Sequence, residues 1–161
     1  GRAEAALEIY EAVRARHDGV RRNPWDEAEC GFHYVRSLAS WLGVWLLLGF
    51  HYHAAERRIR LEPRLAADPV RGFWCAPSGW GRYTSSRGGG AERVEVAVER
   101  GTLECGVLEL ASGRTTRRGA TVELRGAQVP SRYRDAGELA RVELVKPVSI
   151  QSGETLSVAF R

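Results

Sequence analysis

The chain has 161 residues, 43% of them hydrophobic and 27% charged, which is enough for one domain with a sizeable core and too apolar for a disordered segment. A net charge of +4 and a pI near 9.3 raise the question of nucleic acid, but the arginines alternate with acids along most of the chain. The densest basic runs, Arg114 with Arg117 and Arg118 and then Arg132 with Arg134, fall in turn-rich segments without an aromatic stacking set, so no nucleic-acid partner is expected.

The sequence opens at Gly1, contains no methionine and reads as helix almost at once, so a missing N-terminal portion of the same polypeptide is expected upstream. No secretory leader is visible, and the compartment stays open with the cytoplasm favoured. Over residues 2–17, Ala5, Leu7, Ile9, Ala12 and Val13 recur at spacings of two to four among good helix formers, which predicts an amphipathic helix stopped by Asp18 and Gly19. The stretch VRRNPWDEAECG that follows reads as loop, because Pro24 forces Asn23 out of the helical region.

From Phe32 to Leu48 the sequence FHYVRSLASWLGVWLLL is apolar around most of its circumference, with His33, Arg36, Ser37, Ser40 and Gly43 on one narrow face. The uncharged run from Ser37 to Tyr52 is shorter than the roughly 20 residues that span a bilayer, so a buried helix is expected and a membrane span is not. Small residues at Ser37, Ser40 and Gly43 allow a neighbouring helix to approach closely. Two helices alone cannot bury such a surface, which again points to a portion of the protein beyond this chain.

The period changes near His53 to Arg58, dividing the chain into a helical part, 1–55, and a strand-rich part, 56–161. RIRLEPRL, GFWCAPSGWGRYTSS, RVEVAVERGTLECGVLEL, ATVELRG and ARVELVKPVSIQSGETLSVAF read as strands. Gly101 and the Ser152–Gly153 pair are the expected hairpin turns of a small antiparallel sheet or sandwich, and RGGGAE at 87–92 is the expected flexible loop. Cys30, Cys75 and Cys105 form no CxxC pair and no disulfide scaffold, which leaves reduced structural thiols.

Acids, a histidine and an arginine crowd together at the loop-to-helix junction: Asp18, Asp26, Glu27, Glu29, His33 and Arg36. Glu27 and Glu29 in an extended loop could face the same way, as the two carboxylates of a glycosidase must; alternatively these acids favour a helix N-terminus and pair with nearby arginines. His17, Asp18, His33, His51 and His53 are metal-ligating types, but their spacing fits no zinc pattern, and neither a metal nor a cofactor is expected. Ser78 in PSGWG lacks the strand-turn-helix setting of a nucleophile. Trp25, Phe73, Trp74, Trp80 and Tyr83 are the notable aromatics; Trp25, beside Glu27, is the one expected to line a sugar pocket, while Trp74 and Trp80 are expected in the core.

NPWDEAECGFHYVRSLASW from Asn23 to Trp41, then Gly49–Phe50, RIRLEPRL and SGWGRY, closely resemble bacterial family 116 glycoside hydrolases, which include β-glucosidases and relatives of non-lysosomal glucosylceramidases. The resemblance covers residues 10–85 well and thins to a general likeness beyond Arg87. It implies an α+β chain in which the last helices of an (α/α)6 barrel precede the strands, within a retaining β-glycosidase acting on a β-glucoside or related glycoside. It places the nucleophile and the acid/base upstream, so no catalytic residue is expected here and the isolated chain is expected to be inactive. It matches Glu27 and Arg36, nine residues apart, to the pair that holds the sugar hydroxyls farthest from the scissile bond, with Trp25 and His33 as lesser candidates, and it makes Glu29 structural. The rival expectation is a non-catalytic carbohydrate-binding or interaction module.

Overall fold

The computed structural model describes residues 3–23, 38–65, 67–88, 91–111, 117–135 and 137–161. The chain forms two compact units, Gly1–Leu47 and Leu48–Arg161.

The first unit carries helix α1, Ala3–Arg16, none of whose residues is buried, and most of helix α2, Leu38–Leu48. Asp18 ends α1 as its composition predicts: Oδ1 accepts from the backbone N–H groups of Val20 and Arg21 at 2.9 and 2.8 Å, and Gly19 takes a φ of 88°. A Cβ on Gly43 of α2 would lie 2.7 Å from the Tyr10 ring, so this glycine does admit a close neighbour. Among the described residues, the apolar surface of α2 is not covered within this chain. Trp41, Leu42, Val44, Trp45 and Leu46 are 46–65% exposed, because one short helix beside it cannot cover an all-round apolar surface.

The second unit is built from ten strands: β1 Phe50–His53, β2 Arg58–Leu61, β3 Val70–Ala76, β4 Gly79–Gly88, β5 Ala91–Ala111, β6 Ala120–Leu124, β7 Ala127–Val129, β8 Ser131–Asp135, β9 Leu139–Gln151 and β10 Thr155–Phe160. They divide into two leaves that share β5. Residues 92–97 of β5 lie between β4 and β10, with β3 beyond β4 and β6 then β7 beyond β10. Residues 107–110 lie between β2 and β9, with β1 beyond β2 and β8 beyond β9.

This corrects the expected fold class. Among the described residues the chain is mostly strand, with only two α-helices, and these do not make the end of an (α/α)6 barrel. The sheet is not purely antiparallel either: β2 runs parallel to β5, because the β3–β4 hairpin carries the chain through the other leaf between them. The period-2 alternation running from Arg58 to Phe160 is the physical reason strands dominate.

The glycines at 101 and 153 are not hairpin turns. Partners along β5 descend without reversal, from Leu139↔Ala111 to Gln151↔Thr102 and on through Thr155↔Ala97 to Phe160↔Glu92. Gly101 (φ 80°) and Gly153 (φ 84°) therefore mark a corner at which this antiparallel pair passes together from one leaf to the other. The buried side chains of β5 show what the corner does. They fall at Val94, Val96 and Val98, move to Leu103 and Cys105 after Gly101, and return to Leu108 and Leu110 after a bulge at Gly106. Each irregularity shifts the alternation by one residue and keeps apolar side chains inward. A true tight turn stands at Arg125–Gly126, where both residues have positive φ and Leu124 pairs with Ala127.

The two leaves close on one hydrophobic core. Phe50 stacks on Trp74 at 5.6 Å between centroids and on Tyr83 at 6.2 Å, while Tyr133 meets Phe160 edge-on at 6.4 Å. The polar handles are satisfied: Trp74 Nε1 donates to the Ala97 carbonyl at 3.0 Å and the Tyr83 hydroxyl donates to the Leu48 carbonyl.

Candidate functional site

Trp25, Glu27, His33 and Arg36, together with Asp26, Glu29 and Cys30, lie outside the described residues. The neighbours of that cluster that are described have structural work. Asp18 closes the end of α1, and its two backbone N–H partners hold its carboxyl below the usual carboxylate range. The His17 ring nitrogen Nδ1 lies 3.1 Å from the Val13 carbonyl. Among the described residues no group of three His, Cys, Asp or Glu side chains could hold a metal, and no helix is long and apolar enough to cross a membrane.

The described residues instead bring charged side chains together on the outward face of the leaf β1-β2-β5-β9-β8. Strand alternation places His51 and His53 on the same side of β1, and register sets them opposite Arg60 and Arg58 of β2. A ladder of ion pairs then crosses the sheet. Arg58 lies 3.0 Å from Glu56 and 3.5 Å from Glu109, Arg141 donates to Glu109 at 2.5 Å, and Arg141 Nε donates to Glu143 at 2.8 Å. Glu109 is only 4% exposed, and the two flanking guanidiniums make that burial tolerable. Burial and the nearby Arg60 and Arg64 charges hold the His51 imidazole below its ordinary value, against the opposing effect of Glu62. At neutral pH it is therefore both a donor and an acceptor.

Two open cavities lie against this face. One, of about 420 Å³, is lined by His51, Tyr52, His53, Arg58, Arg60 and Glu62. The other, of about 230 Å³, shares Arg60 and Glu62 and adds Pro63, Arg64, Ala111, Glu138 and Leu139. Arg60 and Glu62 are themselves hydrogen-bonded, through Nε at 2.8 Å and through Nη2. The sequence carries half of this site in view, as charged residues at alternate positions of RIRLE. The other half, Glu109 and Arg141, depends on strand pairing between segments far apart in the chain.

The opposite leaf presents an aromatic pair. Phe73 and Trp80 are 51% and 45% exposed, with ring centroids 6.5 Å apart and planes inclined by 41°. Trp74 is in the core as expected, but Trp80 is not. Alternation along β4 puts Trp80 on the outward side with Arg82 while Gly81, Tyr83 and Ser85 face inward, and a Cβ on Gly81 would lie 2.0 Å from the Ala97 carbonyl oxygen, so only glycine allows the approach. The exposed Arg82–Glu99 pair, 3.0 Å apart, joins β4 to the neighbouring β5.

Two carboxylates of the strand unit are stabilised in their ionised form. Glu143 is held below its ordinary value first by the hydrogen bond from Arg141, and Glu154 first by that from Arg125. The buried Glu92 and Glu109 both contact guanidinium groups. The general acid of a glycosidase needs the opposite environment, one that raises its pKa.

No family model matches the chain, and no curated protein matches its sequence.

Proposed function

We propose that this chain grips the sugar of a β-glycoside on behalf of a retaining β-glycosidase of the family 116 type, and does not itself break the bond. One observation carries the reading: the run from Asn23 to Trp41, with its glutamate and arginine nine residues apart, resembles the sugar-gripping segment of that family. The chemistry agrees with those two side chains in that role. The Glu27 carboxylate accepts from sugar hydroxyls and the Arg36 guanidinium donates to their oxygens, each such charge-assisted bond contributing about 1.5–3 kcal/mol. The nucleophile and the acid are supplied by the rest of the enzyme. In the complete protein, Glu27→Gln or Arg36→Ala lowers kcat/KM for a β-glucoside by roughly ten- to several-hundred-fold, the loss of one such bond in the transition state. Unchanged kinetics in both variants would remove the assignment.

A second reading, a non-catalytic carbohydrate-binding module, is favoured by the exposed Phe73–Trp80 pair, since aromatic faces pack against the apolar C–H faces of pyranose rings. It expects Trp80→Ala to abolish glycan binding by a protein that hydrolyses no glycoside even at full length. Hydrolysis by the full-length protein decides for the first reading.

A further inference from the structure

The cavities along β2 are unusual in their charge. The guanidiniums of Arg58 and Arg60 are already opposed by carboxylates, Arg58 by Glu56 and Glu109 and Arg60 by Glu62, and the second cavity sets Arg64 with Glu138 in one lining. A phosphate or sulfate entering here would have to displace a carboxylate from its arginine, and it would meet further negative charge. A hydroxyl group does neither. It donates to the carboxylate and accepts from the guanidinium at once, leaving the ion pair in place. Pro63, Ala111 and Leu139 add apolar surface for the C–H face of a ring. The groups are carried on paired strands, so little order has to be imposed on binding.

We propose that the groove along β2 binds a neutral oligosaccharide, one sugar unit lying in each cavity and the Arg60–Glu62 pair standing between them. The proposal rests on the sugar-binding reading of the chain and places a second, extended subsite far in sequence from Glu27 and Arg36. It explains why two cavities share one ion pair, and it requires an oligomer rather than a single sugar.

The test is a calorimetric titration of the chain with a neutral β-1,4-linked glucose tetrasaccharide, with free glucose, and with a sulfated tetrasaccharide. The neutral tetrasaccharide is expected to bind at least about tenfold more tightly than either of the others, one such factor corresponding to about 1.4 kcal/mol. Arg60→Ala and Glu62→Gln each weaken it by about tenfold or more, while Arg93→Ala, which removes an exposed ion pair on the other leaf, leaves it unchanged. Glu62→Gln preserves side-chain shape, and a thermal melt of each variant separates lost binding from lost folding. Tighter binding of the sulfated sugar, no binding of the neutral one, or indifference to both groove variants would overturn the proposal. Kinetics and binding separate this result from the first reading: unchanged kinetics of Glu27→Gln in the complete enzyme would remove the sugar-gripping pair, whereas tetrasaccharide binding indifferent to Arg60→Ala and Glu62→Gln would remove the groove. The two can therefore fail independently.

Discussion

One carboxylate oxygen of Glu92 accepts from both Nε, at 3.0 Å, and Nη2 of Arg117, a residue twenty-five positions further along the chain. Both side chains are buried, at 5% and 4% exposure. The other Glu92 oxygen receives Arg87 at 3.3 Å and Ser85 at 3.5 Å, while the Arg117 guanidinium lies 5.0 Å from the centre of the Phe160 ring and reaches the Ala111 carbonyl at 3.2 Å. This clasp ties the segment after β5 to the start of that strand and to β10.

Breaking one side of the clasp leaves the other charge buried. Arg117 is the more exposed to this effect, since its Nη1 already lacks a hydrogen-bond partner. Glu92→Gln and Arg117→Met are each expected to cost about 3–5 kcal/mol in urea unfolding, and the double variant less than the sum of the two. Strict additivity would show that the two side chains do not act together.

The corner glycines make a second test. A Cβ at Gly101 would lie 2.2 Å from the Ser78 carbonyl oxygen, at a backbone φ of 80° that L residues rarely adopt. Gly101→Ala is therefore expected to destabilise the strand unit by more than about 1 kcal/mol. Gly119→Ala, where nothing lies within 4 Å of the added carbon, is the control and should shift the urea midpoint little. Equal effects at the two positions would mean that the corner does not depend on its glycine.

Gly101 also shows how much of the fold a sequence discloses. Alternation on either side of it predicts strands, and strands are found; a glycine between two such runs serves a hairpin and a corner equally well. Which of the two it makes depends on what lies opposite, and here Gln151 and Thr155 continue past it in one direction. The same gap between local pattern and pairing explains Glu109, an acid in a strand whose burial makes sense only once Arg58 and Arg141 are placed beside it. The apolar run of α2 was legible as helix, but what covers it was not, because periodicity reports a face and not its partner. Of the candidate site, the charges of RIRLE were readable in the sequence, and the residues that complete their surface were not.

The last prediction concerns alkaline pH. Cys105 is fully enclosed in the core, and burial pushes its thiol from an ordinary 9.0 up to about 12; burial likewise pushes the Tyr83 hydroxyl from 10.0 up to about 12. Both groups are neutral when protonated, so between the ordinary and the raised values the unfolded chain has released protons that the native state still holds. The native state then binds more protons than the unfolded state, and stability falls as pH rises. The contribution is whole below about pH 9 and is lost as pH climbs to about 12, with the directions for Tyr52 and Tyr133, both raised mainly by burial, adding to the same slope. Urea midpoints measured at intervals across that window should decline, while those between about pH 7 and 8.5 should not show this effect. Cys105→Ala removes the lowest ordinary value of the set, so its midpoint starts lower from the lost packing and then declines less steeply. A slope identical to that of the unaltered chain would take Cys105 out of the account and leave the tyrosines to carry it.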